Sequence, residues 1–190
     1  MMKKKRIIFL FVTLFASTLL YAQVVGVKTN VVMDAFKIIN LGAEVGLSKR
    51  LTLDLYANYS PWEYKDPKMM KMLAFQPELR YWFCDKFNGH FVGVHLHGGV
   101  YQAAAIDMPW NIWPELEDHR FKGHFYGLGI SYGYQWILGK HWNIEGNIGI
   151  GYAYVKYEQF ECKRCGEKIK EGHKNYIGPT KAAISLIYLF

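Results

Sequence analysis

Beyond residue 22 the sequence contains no apolar run of the ~18 residues that a membrane-crossing helix requires. A helical membrane protein is therefore excluded. Cysteine is scarce, with three in 190 residues, and only Cys162 and Cys165 lie close together. A structural zinc site needs four ligands, and this stretch supplies two thiolates, His173 and no fourth. Charge of one sign is also in short supply. The formal +7 of the whole chain falls to +3 (7 − 4) once Lys3, Lys4, Lys5 and Arg6 are set aside with residues 1–22. A balance of +3 over 168 residues (190 − 22) is not that of a nucleic-acid binder, so no nucleic-acid partner is expected.

What is present is glycine and aromatic side chains. There are 18 glycines, and 17% of residues are Tyr, Phe or Trp, a composition suited to an all-β protein with one aromatic, apolar face. The N-terminus reads separately. Lys3–Arg6 form a basic region, Ile7–Leu20 an apolar one, and Ala22 a small residue before Gln23. Residues 1–22 are expected to be a cleaved secretory signal peptide, with residues 23–190 forming one domain.

Alternation governs that domain. Over 40–48, Leu41, Ala43, Val45 and Leu47 share one face, and Asn40, Gly42 and Glu44 the other. Over 51–60, Leu51, Leu53, Leu55, Ala57 and Tyr59 oppose Thr52, Asp54, Tyr56 and Asn58. The pattern continues through 75–83, 90–101, 124–138, 142–154 and 181–190. With a first strand near Gly26–Val32, the count is eight. Lys49-Arg50, Cys84–Gly89 and Gly139-Lys140 are short connections. Asp34–Ile39, Trp62–Met70, Ile106–His119 and Phe160–Thr180 read as long ones. Short turns at one end, long loops at the other and an even strand number predict a closed, eight-stranded, antiparallel up-and-down transmembrane barrel of the outer-membrane type. Closure leaves no unpaired edge in lipid. Aromatics gather near both ends of the apolar face: Phe83, Trp136, Trp142, Tyr188 and Phe190 at the short-turn end, and Tyr59, Trp62, Tyr126, Tyr152 and Tyr154 at the loop end. That is the arrangement of interfacial girdles. The competing architecture is a soluble lipocalin-like barrel with its apolar face turned inward around a ligand.

The C-terminal Tyr188 and Phe190, with apolar residues at alternate positions, resemble the signal by which outer-membrane barrels are recognised for insertion, although Ser185 stands where that signal usually has glycine. The stretch "CKRCGEK" followed by "YIGPTKAAISLIYLF", with Cys162, Cys165, Gly166 and Gly178-Pro179-Thr180-Lys181, resembles the domain of unknown function 3575 family. The resemblance covers the whole mature chain. It implies a small outer-membrane barrel of Bacteroidetes-like bacteria, and it carries over no catalytic residue.

Strand parity places the C-terminus at the periplasmic end and the Cys162–Cys165 stretch at the outer face, with Cys84 about 25 Å of apolar band away. A local disulfide, half of a metal site and a pair of free thiols all fit that stretch. The disulfide is expected, since secretion passes through an oxidising compartment. Lys163, Arg164, Lys168, Lys170 and Lys174, mixed with Glu161, Glu167 and Glu171, read as a solvated loop. The inward face is expected to carry Lys28, Glu44, Asp54, Glu78, Arg80, His95, His97, Glu145 and Lys181. An eight-stranded barrel is only wide enough for side chains, so these groups read as a paired polar plug. No catalytic, metal or cofactor-binding residue is assigned, and no cofactor. The expected role is non-enzymatic, envelope-structural or surface-interacting. The expected partners are outer-membrane lipid and lipopolysaccharide, the barrel-insertion machinery and, through Trp110 and Trp113 in loop 106–119, a surface protein. A lipid-modifying outer-membrane enzyme is the alternative.

Overall fold

The structure, a computed structural model, describes residues 25–63, 69–105, 119–161 and 167–190. The signal peptide expected over 1–22, the Cys162–Cys165 pair, and Trp110 and Trp113 lie outside the described residues. The elements run β1 (Val25–Asn30), α1 (Val31–Ala35), β2 (Ile39–Gly46), β3 (Leu51–Glu63), β4 (Met69–Trp82), β5 (Gly89–Ala104), β6 (Arg120–Ile137), β7 (Trp142–Phe160) and β8 (Lys168–Leu189). Each strand pairs antiparallel with the next, and β1 pairs with β8, so the sheet closes into a barrel.

The stagger of the ring follows from the register. The line from Lys28 passes Gly42, Tyr56 and Gln76, then His97, Gly127 and Ala153, and reaches β8 at Tyr176. At closure, however, Lys28 pairs with Ile187, eleven residues away (187 − 176). The strands are therefore strongly tilted, which is the geometry of a narrow barrel whose interior is filled by side chains.

Alternation becomes polarity in an unusual sense. The inward face holds the polar residues, and the outward face is apolar and exposed. Leu41, Leu73, Leu79, Val94, Leu128, Ile130, Ile150 and Ile184 all point out, while Lys28, Glu44, Asp54, Glu78, Arg80, His95 and Glu145 are buried inside. Phe83, Trp136, Trp142 and Phe190 are exposed at the short-turn end, and Tyr59, Trp62, Tyr126 and Tyr152 toward the other. No described helix is long and apolar enough to cross a membrane.

Strand length rises around the ring, from six residues in β1 and eight in β2 to nineteen in β7 and twenty-two in β8. With a rise of ~3.3 Å per residue and a tilt of ~40°, β1 climbs about 15 Å from the short-turn end and β8 about 55 Å. The wall is a spiral stair, and its lowest and highest steps meet at the β1–β8 seam.

Two sequence expectations need correction. The first strand does not continue to Val32, because the chain leaves the sheet at Asn30. The Asn30 side chain caps α1 by accepting from the Val32 N–H at 3.1 Å. Phe160–Thr180 is not a long loop either. β7 and β8 stay paired up to Phe160–Lys168, so Lys168, Lys170, Glu171 and Lys174 belong to a strand. Both faces of that extension meet solvent, so it lacks the apolar side by which a strand is read.

Candidate functional site

The lumen has three storeys. At the short-turn end, Trp82, Phe91 and Ile187 are wholly buried, with Phe87 beside them. Phe87 takes a left-handed φ of 63° in the β4–β5 turn, and its ring centroid lies 6.0 Å from that of Trp82. Trp82 also packs 4.7 Å from Phe91. These side chains floor the barrel. Cys84, in the same turn, is an exposed free thiol.

Above the floor lies an ionic cluster centred on Arg80. Its Nε donates to Glu78 Oε1 at 2.7 Å. Its Nη1 donates to Glu44 Oε2 and Glu145 Oε2, both at 2.8 Å, and its Nη2 to Glu145 Oε1 at 3.1 Å. Nη2 also stands 2.6 Å from Asp54 Oδ2. One planar guanidinium with donors in a fixed fork thus serves four carboxylates, which a lysine could not do. Lys28 Nζ contacts Glu44 at 2.5 Å, Glu145 at 3.3 Å and Asp54 at 3.4 Å. Lys181 Nζ contacts Glu78 at 2.6 Å and Asp54 at 3.7 Å. Thr52 Oγ1 donates to Glu44 Oε1 at 2.5 Å and accepts from Trp82 Nε1 at 2.9 Å, which ties the cluster to the floor. Three cations face four carboxylates, a formal charge of −1. The register explains the crowding. Glu44, Asp54 and Glu78 are direct cross-strand neighbours on β2, β3 and β4, a run of like charges that needs cations from elsewhere on the ring.

His95 sits at the upper edge of the cluster, its Nδ1 3.8 Å from Glu78. Its Nε2 is 2.9 Å from Thr180 Oγ1. Thr180 is where the β7–β8 register slips. Gly149 pairs with Lys181, but Ile150 pairs with Pro179, and this bulge turns Thr180 and Lys181 inward together. Strict alternation hides such a bulge, and only the Pro179 beside it signals one. Gly129 makes room for His95, since a Cβ there would lie 2.6 Å from both His95 Nε2 and the Ile150 carbonyl. His97 stands outside the cluster, with its ring 5.6 Å from that of His95 and 6.3 Å from Phe125.

The third storey is a cavity of about 610 Å³ at the loop end. Ser60, Met72, Tyr101, Gly123 and Tyr157 share one register line and turn into it. Among the described residues no group of three His, Cys, Asp or Glu is arranged to hold a metal ion. Tyr188 and Phe190 lie beside Trp142 at the short-turn end, with Tyr188 ring distances of 5.1 Å to each.

The sequence profile of the family described as "Protein of unknown function (DUF3575)" matches residues 7–190. The chain belongs to the DUF3575 family. No curated protein matches it. The match takes in all three storeys and the β7–β8 extension of this DUF3575 chain.

On that extension Glu171 is clipped between Lys156 at 2.9 Å and Lys168 at 2.6 Å. Hydrogen bonding from Lys156 and then Lys168 holds its carboxyl at about 2, below its ordinary 4.5. A depressed carboxyl pKa stabilises the folded arrangement above the unfolded value, and that contribution disappears as pH falls from 4.5 toward 2. The Glu171 carboxyl carbon should therefore titrate by NMR near pH 2, and in Lys156→Gln it should move back up. Titration of the unaltered protein at the ordinary value would disprove the clip.

Proposed function

We propose that this chain is an outer-membrane β-barrel of the cell envelope. Its apolar exterior faces lipid, its lumen is a fixed plug of paired side chains, and its role is non-enzymatic, exerted through the segments beyond the membrane. The observation that carries the reading is the inversion of polarity: buried charge inside and exposed Leu, Ile, Val and aromatic residues outside. In water such a surface would be a single apolar patch far larger than soluble monomers carry. In lipid it is the expected exterior, with aromatic girdles at both edges. Outward-facing Lys122 and Lys156, on the tall strands beyond the upper girdle, suit contact with anionic lipopolysaccharide.

Expression with the leader in a Gram-negative host should place the mature chain in the outer membrane. It should need detergent for extraction and run at a heat-dependent position in SDS gels. Planar bilayers should show no porin-like conductance. Recovery as a detergent-free periplasmic protein would overturn the architecture, and sustained large conductance would overturn the plug.

A further inference from the structure

The stair in the wall leaves a notch. The last backbone rung of the seam is Asn30–Ser185. Asn30 adds one more with its side chain, whose Nδ2 donates to the Ala182 carbonyl at 3.2 Å and whose Oδ1 accepts from the Ile184 N–H at 3.3 Å. Above that, among the described residues, β8 has no strand neighbour on the β1 side. Side chains serve its backbone there instead. Gln76 Nε2 donates to the Thr180 carbonyl at 3.4 Å and the Tyr176 hydroxyl to the Pro179 carbonyl at 3.2 Å. Pro179 has no N–H to offer a neighbouring strand.

A cavity of about 270 Å³ occupies the notch. It is lined by Asn30 and Met33 on one side, Tyr56, Asn58 and Gln76 from the lumen, and Pro179–Ala183 of β8. Directly outside lies an apolar groove of about 440 Å³, formed by Val32 of α1 with Tyr132, Tyr134, Gly146, Ile148 and Ile184. Ala182 and Ala183 line both cavities, so groove and notch adjoin along this stretch of β8. β1 stops about 15 Å up a belt of about 25 Å. On the membrane reading proposed above, which this inference requires, the notch therefore opens sideways at the depth of the outer leaflet.

We infer that groove and notch form a binding site for an amphiphile with one acyl chain and a small uncharged polar head. The chain lies in the groove, and the head reaches through the wall toward Asn58, Gln76 and Thr180. The medium at that depth supplies acyl chains. The polar lining selects the head. Asn58 Oδ1 is buried without a hydrogen-bond partner among the described residues, and the amides and hydroxyls around it are neutral. Lys181, the nearest cation, is already held by Glu78 and Asp54, and the cluster beneath has a formal charge of −1. An anionic head gains no free cation and meets excess negative charge. The head is therefore an ester, hydroxyl or amide and not a phosphate.

The test uses the full mature chain in phosphatidylcholine–phosphatidylethanolamine liposomes containing a trace of photoactivatable diazirine monoacylglycerol. Adducts are mapped by peptide mass spectrometry. They should be enriched several-fold on 177–184 and on α1 over the opposite wall at Leu79 and Val94. Val32→Trp fills the groove from α1, outside the strand ladder, so the barrel should keep its heat-dependent mobility and lose the enrichment. A diazirine lysophosphatidic acid should show little enrichment. Even labelling around a folded, membrane-inserted barrel would refute the site while leaving the membrane reading intact. Equal enrichment by the phosphate-headed probe would refute the head assignment. A chain that partitions away from the liposomes would refute the membrane reading and the site together.

Discussion

Arg80→Met should be the most damaging single substitution in the lumen, costing about 3–5 kcal/mol, the penalty for leaving buried charges without their partner. Arg80 is 1% exposed and touches Glu44, Asp54, Glu78 and Glu145. After the change, Lys28 and Lys181 alone face four carboxylates. A urea titration of the protein in lipid, read by heat-dependent mobility, should show the loss. Adding Glu44→Gln and Glu145→Gln should recover much of it, because replacing both sides of a buried ion pair costs far less than removing one. An unchanged midpoint for Arg80→Met would mean that the cluster is hydrated and not a plug.

Ile148→Arg separates the two possible surroundings of the barrel. Ile148 is 68% exposed and sits part-way up the outward face of β7. In water, an exposed isoleucine replaced by arginine changes stability by no more than about 0.5 kcal/mol. In a bilayer, arginine near the midplane of a barrel's lipid face costs about 2–4 kcal/mol. Insertion efficiency and the urea midpoint should both fall. A variant as stable as the parent would place this face in water and remove the main support for the proposed location.

Much of the fold was legible because a period of two is hard to mimic. Alternation from Leu41 to Leu55 and from Tyr126 to Trp136 separates the two faces, and the tight turns at Lys49-Arg50 and Gly139-Lys140 limit the pairing. Three features escaped for physical reasons. A strand with solvent on both sides, such as 168–175, shows no apolar face. The exit at Asn30 depends on a side chain that caps a helix and completes a ladder, and neighbouring residues do not reveal either role. The bulge at Thr180 breaks parity by one residue, so alternation alone misplaces it. The lumen was readable as a set of inward polar residues but not as contacts. That Arg80 serves four carboxylates while His97 stands apart depends on the stagger of the ring, which joins residues as distant as Lys28 and Glu145.

The unequal strands also bear on how the ring is made. Gly26 pairs with Leu189 across 163 residues (189 − 26), so closing the seam carries the largest loop-entropy cost in the molecule. The return is a ladder of only five pairs, from Gly26–Leu189 to Asn30–Ser185. The β6–β7 and β7–β8 hairpins close over connections of four and seven residues and gain long ladders at once. Assembly should therefore proceed from the C-terminal hairpins toward β1, with the seam the last rung to form and the first to open. In hydrogen exchange, the amides of Val27 and Thr29 should exchange before those of Ile130 and Ile148. The reverse order would mean that the ring is held by its seam and not by its tall side.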